Sequence, residues 1–530
     1  MSTLSSPRNF AIFGAAHAGK SSLAGFCTLR TGGLNGTWES FLHHRRVQLG
    51  AHFDVKQKFA YIVDRGPDEQ IRQHDGIGQS RRLHPTTAHL RIDGRDVPIN
   101  MIDTPGAQHV ERETYSGMFM GDMGIFVAEI NRLLEDGLGG NREFLAQLVT
   151  WIEFKRRARF LIVLTKFDQC GYSRDRYDSA LHKIGQMLEQ LFHASLCYDV
   201  IPTAIDMITE SDQNVVTPAI QMPWYKGPTL LEWIQDSIRR HAVPAFSGMG
   251  KLAYVEGEYR RKAREVGVPM LLQGKVLNGG FSVGDVVKIA PVRLGDGSHG
   301  TATARIRSLR PQGGEIRANL EANELGGFAL TSIRGGADLR LCKSTCLFGA
   351  ADKIAVGRAI VMRLQGTHRL PFVGELFTLI WFGKLISCHL VGCTGAEKEL
   401  HVFEAAGAPV ALASPFDAPA HNVFYLRRGS QNDAPKFIPA TVTQIGVVSS
   451  ISVTIPDALL RVGTRLQRRK IPIEHIDDTS LEVSCKDSAI NTVRQIEHAL
   501  LHEASLDVSE AELKKCGSYM ATVHPSLQGP

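Results

Sequence analysis

The sequence predicts an α/β domain with a doubly wound, mostly parallel sheet, followed by two β-barrel domains and a small C-terminal α+β extension. Three observations lead to this fold. Apolar strand candidates alternate with helical segments from residue 8 to about 240, a glycine-rich loop joins the first strand candidate to the first helix, and β-rich runs separated by Gly and Pro follow after about residue 250. Alternation of strands and helices is typical of a parallel sheet covered on both faces.

The length of the chain supports a division into several domains. The 530 residues exceed one ordinary domain, and 43% hydrophobic with 22% charged residues is the composition of a globular protein. The texture of the sequence changes near residues 247–250 (SGMG) and again after about 452. We expect helices at 142–154 and 176–192 before the first change and at 488–502 after the second. We therefore expect a nucleotide domain at 1–240, barrels at 250–352 and 353–451, and an extension of unknown role at 452–530.

The first functional motif is a phosphate loop between an apolar run, residues 10–13 (FAIF), and a helical segment. Gly14 to Ser21 matches G-x-x-x-x-G-K-[ST], in which the glycines turn backbone N–H groups toward a β-phosphate and Lys20 reaches the β and γ oxygens. A surface glycine loop with a chance Lys-Ser pair is the alternative. The residues of this segment predicted to bind nucleotide are Gly14, His17, Ala18, Gly19, Lys20, Ser21 and Ser22.

A second motif, Asp103-Thr-Pro-Gly106, follows the apolar run 97–102. Asp103 would emerge at the carboxyl end of a strand and hold a Mg²⁺-bound water, while Ser21 would ligate the Mg²⁺ directly and Gly106 would offer its N–H to the γ-phosphate. Alone, this sequence is an ordinary turn, since Pro and Gly favour turns. Its place between the phosphate loop and the next motif favours the nucleotide site.

The third motif, Thr165-Lys166-Phe167-Asp168, follows the apolar strand candidate 160–164. The Asp168 carboxylate can accept hydrogen bonds from N1–H and the 2-amino group of guanine, and adenine lacks this pair of donors. Thr165 stands where Asn is more usual but keeps a hydroxyl, and Phe167 suits a core role. Thr203 and Ala204 follow the next strand candidate and are assigned to the base only by position. The three motifs predict a site for GTP or GDP with Mg²⁺.

Charge and apolar runs constrain the partners and the compartment. A formal net charge of +6 permits an RNA or ribosome partner without requiring one. The basic cluster between Arg461 and Lys470 suits either a solvated face or an RNA contact. Because no apolar run reaches the ~20 residues that span a bilayer, we expect a soluble, cytoplasmic protein without a membrane partner.

The nine cysteines are scattered and do not form a paired framework. Cys342 with Cys346 and Cys388 with Cys393 allow a zinc site as an alternative, but the spacings are loose for a set of thiolate ligands. Reduced thiols in a cytoplasmic protein are the simpler interpretation.

With these motifs, the chain resembles the translational GTPases of the elongation factor Tu and elongation factor 1-alpha type over residues 8 to about 450. Residues 103–122 align without a gap to the family's second switch, and residues 276–286 are similar to the opening of its second domain. Residues 222–232 (MPWYKGPTLLE) are similar to a signature shared with termination factor 3 and the GTPase subunit of sulfate adenylyltransferase. The resemblance implies a G domain followed by two barrels, a GTP-driven change in their packing, and delivery of a tRNA-like ligand to the ribosome.

Departures from the family pattern concern hydrolysis. Ala107 stands where the family has the His that orients the attacking water, and His109 lies two residues further on. The same alignment places His84 at the position of the Mg²⁺-binding threonine of the first switch, with Thr86 and Thr87 nearby as substitutes. We therefore assign no catalytic residue, and we expect firm GTP binding with slow or partner-dependent hydrolysis.

Three function classes remain open at this point. The first is an elongation-factor-like GTPase that acts with tRNA or the ribosome. The second is a pseudo-GTPase whose barrels and extension recruit a protein partner. The third is the GTPase subunit of a sulfate-activating complex, favoured only by residues 222–232.

Overall fold

A computed structural model of the protein describes most of the chain, with gaps between the described segments. The described residues are 8–34, 36–64, 83–106, 111–135, 142–155, 159–192, 196–241, 250–258, 270–334, 339–365, 373–395, 399–414, 423–428, 436–454, 473–476, 480–485, 488–504, 519–525 and 527–528. The chain divides into two compact units. The first comprises Met1–Ala245 with Arg310–Gly327, and the second comprises Phe246–Leu309 with Phe328–Pro530.

The first unit contains a six-stranded sheet. One edge strand is antiparallel to its neighbour, and the other neighbouring pairs run parallel, which confirms the predicted mostly parallel sheet. Parallel strands end at a common edge, so the loops that follow them meet there. In spatial order the strands are His84–Ile92, Arg95–Asp103, Asn9–Phe13, Met123–Glu129, Phe160–Thr165 and Tyr198–Pro202.

Helices pack against this sheet because its central strands are apolar on both faces. Every residue of Asn9–Phe13 and Phe160–Thr165 is buried, and Phe13 stacks on Phe126 with ring centroids 5.1 Å apart. Such continuous apolar runs are typical of parallel strands covered on both sides. In the described part of this unit the α-helices are Lys20–Arg30, Trp38–Leu49, Ala60–Val63, Glu111–Met120, Ile130–Glu135, Arg142–Phe154, Arg174–Phe192 and Leu230–Arg240.

Short elements complete the first unit near the sheet's carboxyl edge. Gly50–His52, Val55–Gln57 and Phe167–Cys170 are 3₁₀ helices, and Ala204–Ile205 pairs with Asp212–Gln213 as a two-stranded hairpin. These short elements follow strands or helices of the nucleotide domain, and they supply loops to the edge where the three sequence motifs end.

The second unit begins with a closed six-stranded barrel. Its strand His299–Pro311 alternates buried with more exposed residues over much of its length, as expected when one face of a strand lines a barrel core. This barrel confirms the β-rich domain predicted after residue 250. In order around the ring, the strands are Met270–Asn278, Leu325–Arg334, His299–Pro311, Val286–Arg293, Arg340–Gly349 and Leu252–Glu258.

Six further strands pair in a second closed ring. Each pairs with the next, and Lys436–Thr454 returns to pair with Ala359–Leu364. Inside it Trp381 is fully buried and stacks on Phe424 at 4.3 Å between ring centroids. The ring follows the order Ala359–Leu364, Leu400–Ala405, Lys384–Thr394, Leu376–Trp381, Val423–Arg428 and Lys436–Thr454.

Residues after 472 add to this second ring. Tyr519–Pro525 and Ser480–Ser484 both pair with the long strand Lys436–Thr454, and Ile473–Ile476 pairs with Ser480–Ser484. The helix Ala489–Ala504 agrees with the helix expected from the sequence near residues 488–502. The basic cluster 461–470 lies outside the described residues, and the four-part division of the chain stays a prediction.

A separate small sheet joins the C-terminus to the second unit. Lys353–Gly357 pairs on one side with Val410–Ser414 and on the other with Leu527–Gln528. The terminal residues of the described chain are therefore held by backbone hydrogen bonds.

A buried carboxylate anchors the C-terminal helix. Glu404, 5% exposed, accepts hydrogen bonds from the backbone N–H groups of Ala489 at 3.1 Å and Ile490 at 2.8 Å and from Ser488 Oγ at 2.9 Å. Since an anion at a helix N-terminus satisfies otherwise unpaired donors, we expect Glu404→Ala to lower the opening free energy of this helix by about 2 kcal/mol. Hydrogen exchange over 489–504 measures it, with the exposed Glu399→Ala as control. Equal protection in both variants would refute the capping role.

The described residues show neither a membrane-spanning helix nor a cluster of metal ligands. No described helix is long and apolar enough to cross a membrane. Across the same parts of the chain, no group of three or more His, Cys, Asp or Glu side chains is placed to hold a metal ion. Cys342, Cys346 and Cys388 are free thiols, and burial raises the pKa of Cys342 to about 11 and those of Cys346 and Cys388 to about 12.

Candidate nucleotide-binding site

The phosphate loop leaves the central strand Asn9–Phe13 through a glycine that no other residue can replace without strain. Gly14 has φ +141°, and a Cβ added there would lie 2.2 Å from the carbonyl oxygen of Val127. Its N–H donates to Gln147 Oε1 at 2.9 Å. The steric restriction at Gly14 agrees with the glycine that the sequence motif requires there. The hydrogen bond to Gln147 could not be expected from the motif.

The loop ends at the helix Lys20–Arg30. Gly19 precedes this helix with φ +95°, a conformation that favours glycine. Lys20 is 6% exposed and its Nζ donates to the carbonyl of Ala15 at 2.8 Å, so the ammonium group lies beside the backbone of its own loop. Backbone N–H groups at a helix start and a buried cation together form an anion site of the kind that binds phosphate.

The two predicted magnesium ligands are in contact. Ser21 Oγ donates to Asp103 Oδ2 at 2.6 Å, and Asp103 is fully buried at the end of the strand Arg95–Asp103. A hydroxyl and a carboxylate are hard oxygen ligands, which Mg²⁺ prefers, and this ion usually keeps several waters and binds phosphate oxygens as well. The pair fits a Mg²⁺ held by Ser21 directly and by Asp103 through water. When bound, the ion would neutralise phosphate charge.

Gly106 approaches the phosphate loop closely. A Cβ added to it would lie 2.6 Å from Lys20 Nζ and 2.7 Å from the backbone nitrogen of Ala16. We expect Gly106→Ala to displace the lysine or the loop and to weaken GTP binding by roughly tenfold or more, since the loop's donors must stay aligned with phosphate. Titration with a fluorescent GTP analogue measures the change. Gly185→Ala, in the helix Arg174–Phe192 where an added Cβ would lie 3.9 Å from Tyr198 Oη, controls for loss of a glycine. Unchanged affinity would mean that Gly106 does not border the phosphates.

Thr165 ties the third motif to the first. Its Oγ1 donates to the carbonyl of Ala18 at 2.7 Å and lies 3.3 Å from the carbonyl of Ala128. The threonine hydroxyl therefore makes a hydrogen bond to the phosphate loop, even though threonine stands where asparagine is more usual. Thr165 is 8% exposed and lines the cavity described below.

Lys166 and Asp168 follow in a tight turn. Lys166 adopts φ +59° and donates from Nζ to Glu129 Oε2 at 2.7 Å. Asp168 is exposed at the start of the 3₁₀ helix Phe167–Cys170, which leaves its carboxylate accessible to a ligand. Phe167 is fully buried and packs against Trp224, so its role is the structural one expected from the sequence.

Thr203 and Ala204 lie where position predicted them. The backbone N–H of Thr203 donates to the carbonyl of Leu164 at 2.7 Å, and the N–H of Phe167 donates to the carbonyl of Thr203 at 3.2 Å. These bonds hold the loop after Tyr198–Pro202 beside the Thr165–Asp168 motif. Both residues are almost fully buried and line the same cavity as Asp168.

One cavity of about 900 Å³ collects these residues. Its size matches small-molecule sites, and its walls combine the phosphate loop, the third motif and the loop after the last strand. Of the predicted nucleotide residues, those lining it are His17, Gly19, Lys20, Ser21, Ser22, Gly106, Thr165, Lys166, Asp168, Thr203 and Ala204. Gly14, Ala18 and Asp103 lie just outside it and support the loop through the contacts given above.

The phosphate end of the cavity is electropositive. Burial lowers the pKa of His17, and the neighbouring Lys20 and Lys166 ammonium groups lower it further, as does Arg132. His17 is therefore neutral at pH 7 and has a positive φ of 64°. Arg132 also donates to the carbonyl of Ala16 at 3.3 Å. Several cations close enough to depress a histidine pKa suit a polyphosphate ligand.

The residues that the alignment places at the first switch lie in a strand of the sheet. His84 is paired with Asp103 at the start of the strand His84–Ile92. Thr86 Oγ1 accepts from Thr28 Oγ1 at 3.0 Å, and Thr87 Oγ1 donates to Asn100 Oδ1 at 3.2 Å. Both threonines are at most 8% exposed, and neither hydroxyl borders the cavity. Ala107 and His109 lie outside the described residues.

Sequence reasoning missed several residues of this site. Gln147 and Glu129 hold the phosphate loop and Lys166, Arg132 contacts the loop, and Lys56 and Gln57 line the cavity. None of them belongs to a local motif. Lys56 and Gln57 fall between the phosphate-loop helix and the strand His84–Ile92, where the sequence analysis identified no ligand-binding motif.

Comparison with known proteins agrees with this geometry. Residues 5–239 match the family model of the elongation factor Tu GTP-binding domain. Elongation factor 1-alpha of Methanocaldococcus jannaschii is 26% identical over 226 residues, 42% of this chain and 48% of its own length. That of Pyrobaculum aerophilum is 24% identical over 302 residues, 54% of this chain and 60% of its own length. The chain thus spans about half of the length of these curated relatives.

Solved structures share the fold at low identity. The Ski7 GTPase-like domain of Saccharomyces cerevisiae bound to GTP has a TM-score of 0.64 at 14% identity, covering 83% of this chain and 98% of that one. Elongation factor SelB of Methanococcus maripaludis with a GTP analogue has a TM-score of 0.54 at 11% identity, covering 91% and 96%. At these identities the likeness shows the fold alone. The sequence relationship rests on the match of residues 5–239 to the family model.

Proposed function

Because this chain is a divergent member of the translational GTPase superfamily, we propose that it is a GTP-binding switch that acts with the ribosome or a tRNA and hydrolyses GTP slowly on its own. The chain is a translation-factor-like GTPase, with a G domain followed by β-rich domains. The ligand, the rate and the partner are the proposed parts.

One observation carries the proposal for the ligand. Three motifs far apart in sequence converge on one cavity, with Ser21 bonded to Asp103, Thr165 bonded to the loop at Ala18, and the exposed Asp168 in the lining. A cation-rich end and an accessible carboxylate end match the two ends of a guanine nucleotide.

The slow hydrolysis in this proposal is supported by two departures from the family's sequence pattern. Directly after Gly106 stands Ala107, whose methyl group can neither donate nor accept a hydrogen bond to an attacking water. The hydroxyls of Thr86 and Thr87 are hydrogen-bonded to Thr28 and Asn100, respectively. Because phosphoryl transfer depends on positioning and charge stabilisation, missing such groups costs about 10²-fold or more in rate.

The ribosome proposal rests on the relatives, which include elongation factors. We expect the full chain to co-sediment with ribosomes in a non-hydrolysable GTP analogue and to sediment less in GDP. A Lys20→Ala variant, which lacks the phosphate-loop cation, controls for nucleotide-independent binding. Equal sedimentation of all three samples at physiological salt would refute a GTP-regulated ribosome partner.

A pseudo-GTPase that recruits a protein through its barrels or extension is the second candidate. The hydrogen-bonded hydroxyls of Thr86 and Thr87 favour it. If neither threonine moves to the nucleotide, hydrolysis of GTP would change the conformation of this segment little. This candidate predicts partner binding that is the same in GTP and GDP, which the sedimentation experiment also separates.

The sulfate-activating alternative has a structural explanation for its single supporting segment. Within residues 222–232, Thr229 and Glu232 form a reciprocal capping box for the helix Leu230–Arg240. Trp224 Nε1 donates to the carbonyl of Tyr172 at 3.0 Å. These contacts support the base-side loop of the G domain, and none of them requires a sulfate-activating partner.

A further inference from the structure

Glu210 occupies an unusual position beside the nucleotide cavity. It lies in the turn between Ala204–Ile205 and Asp212–Gln213 and adopts φ +58°, a conformation that costs energy for a residue with a side chain. Such a conformation persists when surrounding contacts fix it. The contacts of Glu210 come from two other parts of the fold.

A partly buried ion pair joins Glu210, whose side chain is 28% exposed, to the segment that follows the phosphate-loop helix. Lys58 Nζ lies 2.5 Å from Glu210 Oε1, and the Lys58 side chain is only 5% exposed. Trp38 Nε1 donates to both carboxylate oxygens, at 3.0 and 3.1 Å, and the Arg30 guanidinium donates to the Glu210 carbonyl. A buried ammonium group must have a charged or polar partner, and Glu210 supplies it.

The Glu210 carboxyl is ionised at neutral pH. Burial opposes ionisation of the Glu210 carboxyl, but hydrogen bonds from Lys58 and Trp38 outweigh it and lower the pKa. Trp38 in turn stacks on Phe59 with ring centroids 5.7 Å apart and on Phe41 at 5.6 Å. One carboxylate therefore organises a charged and aromatic cluster that spans the helix Trp38–Leu49 and the residues around Phe59.

Lys58 and Glu210 do not line the cavity themselves, but each lies next to residues that do. Lys56, Gln57, Ala60 and Asp64 line it from the Lys58 side. Residues 205–208 and Ser211 line it from the Glu210 side, directly after the base-side loop at Thr203 and Ala204. Breaking the pair would release the two walls from each other without touching the phosphate loop or Asp168.

We propose that Lys58 and Glu210 are positioning residues of the nucleotide site, whose ion pair holds the 55–64 segment against the 204–213 hairpin and slows release of bound guanine nucleotide. The inference rests on the proposed nucleotide site. It goes beyond the motifs, because neither residue lies in one and both act through the cavity wall.

The test replaces both charges together. Lys58→Met with Glu210→Gln removes the ion pair without leaving one charge buried and unpaired, which preserves the fold better than either single change. The probe is a fluorescent GDP analogue, measured by stopped-flow. We expect its dissociation rate constant to rise about tenfold while its association rate constant stays within about twofold, since loss of a wall contact acts mainly on release.

Matched variants separate this role from general destabilisation. Arg239→Gln breaks an exposed ion pair with Asp93 (3.2 Å) in the same unit, away from the cavity lining, and should leave release unchanged. If the double variant does not fold, Trp38→Phe keeps the aromatic stacking and removes the hydrogen bonds to Glu210. It should then accelerate release about threefold.

The outcomes distinguish this inference from the proposed function. Wild-type protein that binds no guanine nucleotide would refute the nucleotide site and the inference with it. Wild-type protein that binds the analogue, with the double variant or the folded Trp38→Phe releasing it at the wild-type rate, would overturn the positioning role alone. A fall in association equal to the rise in dissociation would also overturn it, because that pattern marks a damaged site.

Discussion

Replacing Lys20 with alanine is expected to abolish guanine-nucleotide binding, with a loss of affinity of about 100-fold or more. The ammonium group is 6% exposed and lies inside the phosphate loop, 2.8 Å from the carbonyl of Ala15. Charge-assisted hydrogen bonds to phosphate are strong where solvent is excluded, and the loop's remaining N–H groups cannot replace the lost charge. Equilibrium titration of purified protein with a fluorescent GTP analogue measures the effect.

A substitution at the residue that follows the second motif provides the control. Ala107→His changes the residue after the Asp103–Gly106 turn and adds no charge to the loop at pH 8, so GTP affinity should stay within about twofold of wild type. Loss of binding in both variants would mean that the phosphate loop and the second motif are wrongly aligned. Retained binding in Lys20→Ala would place the nucleotide elsewhere.

The second large effect is expected at Asp168. An asparagine there offers one acceptor and one N–H donor where the carboxylate offers two acceptors, so it leaves the guanine 2-amino group without an acceptor. Xanthine carries a carbonyl at that position and complements the amide. We expect Asp168→Asn to weaken GTP binding by about 10³-fold and to favour xanthosine triphosphate over GTP, because an unpaired buried polar group is rejected strongly.

Competition titrations with the two triphosphates measure this change of specificity. Asp175→Asn, which removes an exposed carboxylate from the first turn of the helix Arg174–Phe192, is the matched control and should change neither affinity. An Asp168→Asn variant that still prefers GTP would show that another group reads the base.

Much of this site was predictable because its motifs are local. Gly14 and Gly19 have positive φ values that glycine tolerates, and Lys20 follows at the helix start, all within eight residues of sequence. Asp103 and Thr165 end apolar strands, and the parallel sheet brings those ends together. The expected helix 142–154 is Arg142–Phe154 in the structure, since its apolar periodicity is strong.

Long-range contacts were not predictable, since no local pattern encodes them. Gln147 belongs to no motif, yet its side-chain oxygen accepts a hydrogen bond from the N–H of Gly14, 133 positions away in sequence. Lys58 and Glu210 meet across 152 positions. Thr86 and Thr87 looked like candidates for the first switch, but strand pairing with Arg95–Asp103 directs their hydroxyls to partners inside the sheet.

The C-terminal residues illustrate the same division. The helix Ala489–Ala504 follows from an apolar periodicity that one segment contains. The pairing of Tyr519–Pro525 with Lys436–Thr454 depends on strands about 70 residues apart, with the pairing of Ser452 and Met520 as an example. Register over such a distance is set by packing in the folded chain.

The central claim is a firm grip on GTP with slow hydrolysis, and the nucleotide retained by the purified protein tests it most directly. Protein incubated with GTP and Mg²⁺, freed of unbound nucleotide and then denatured, releases what it held for chromatographic analysis. We predict close to one guanine nucleotide per chain, still mostly triphosphate after an hour. Complete conversion to GDP within that time in the absence of any partner, or an empty site, would contradict the account.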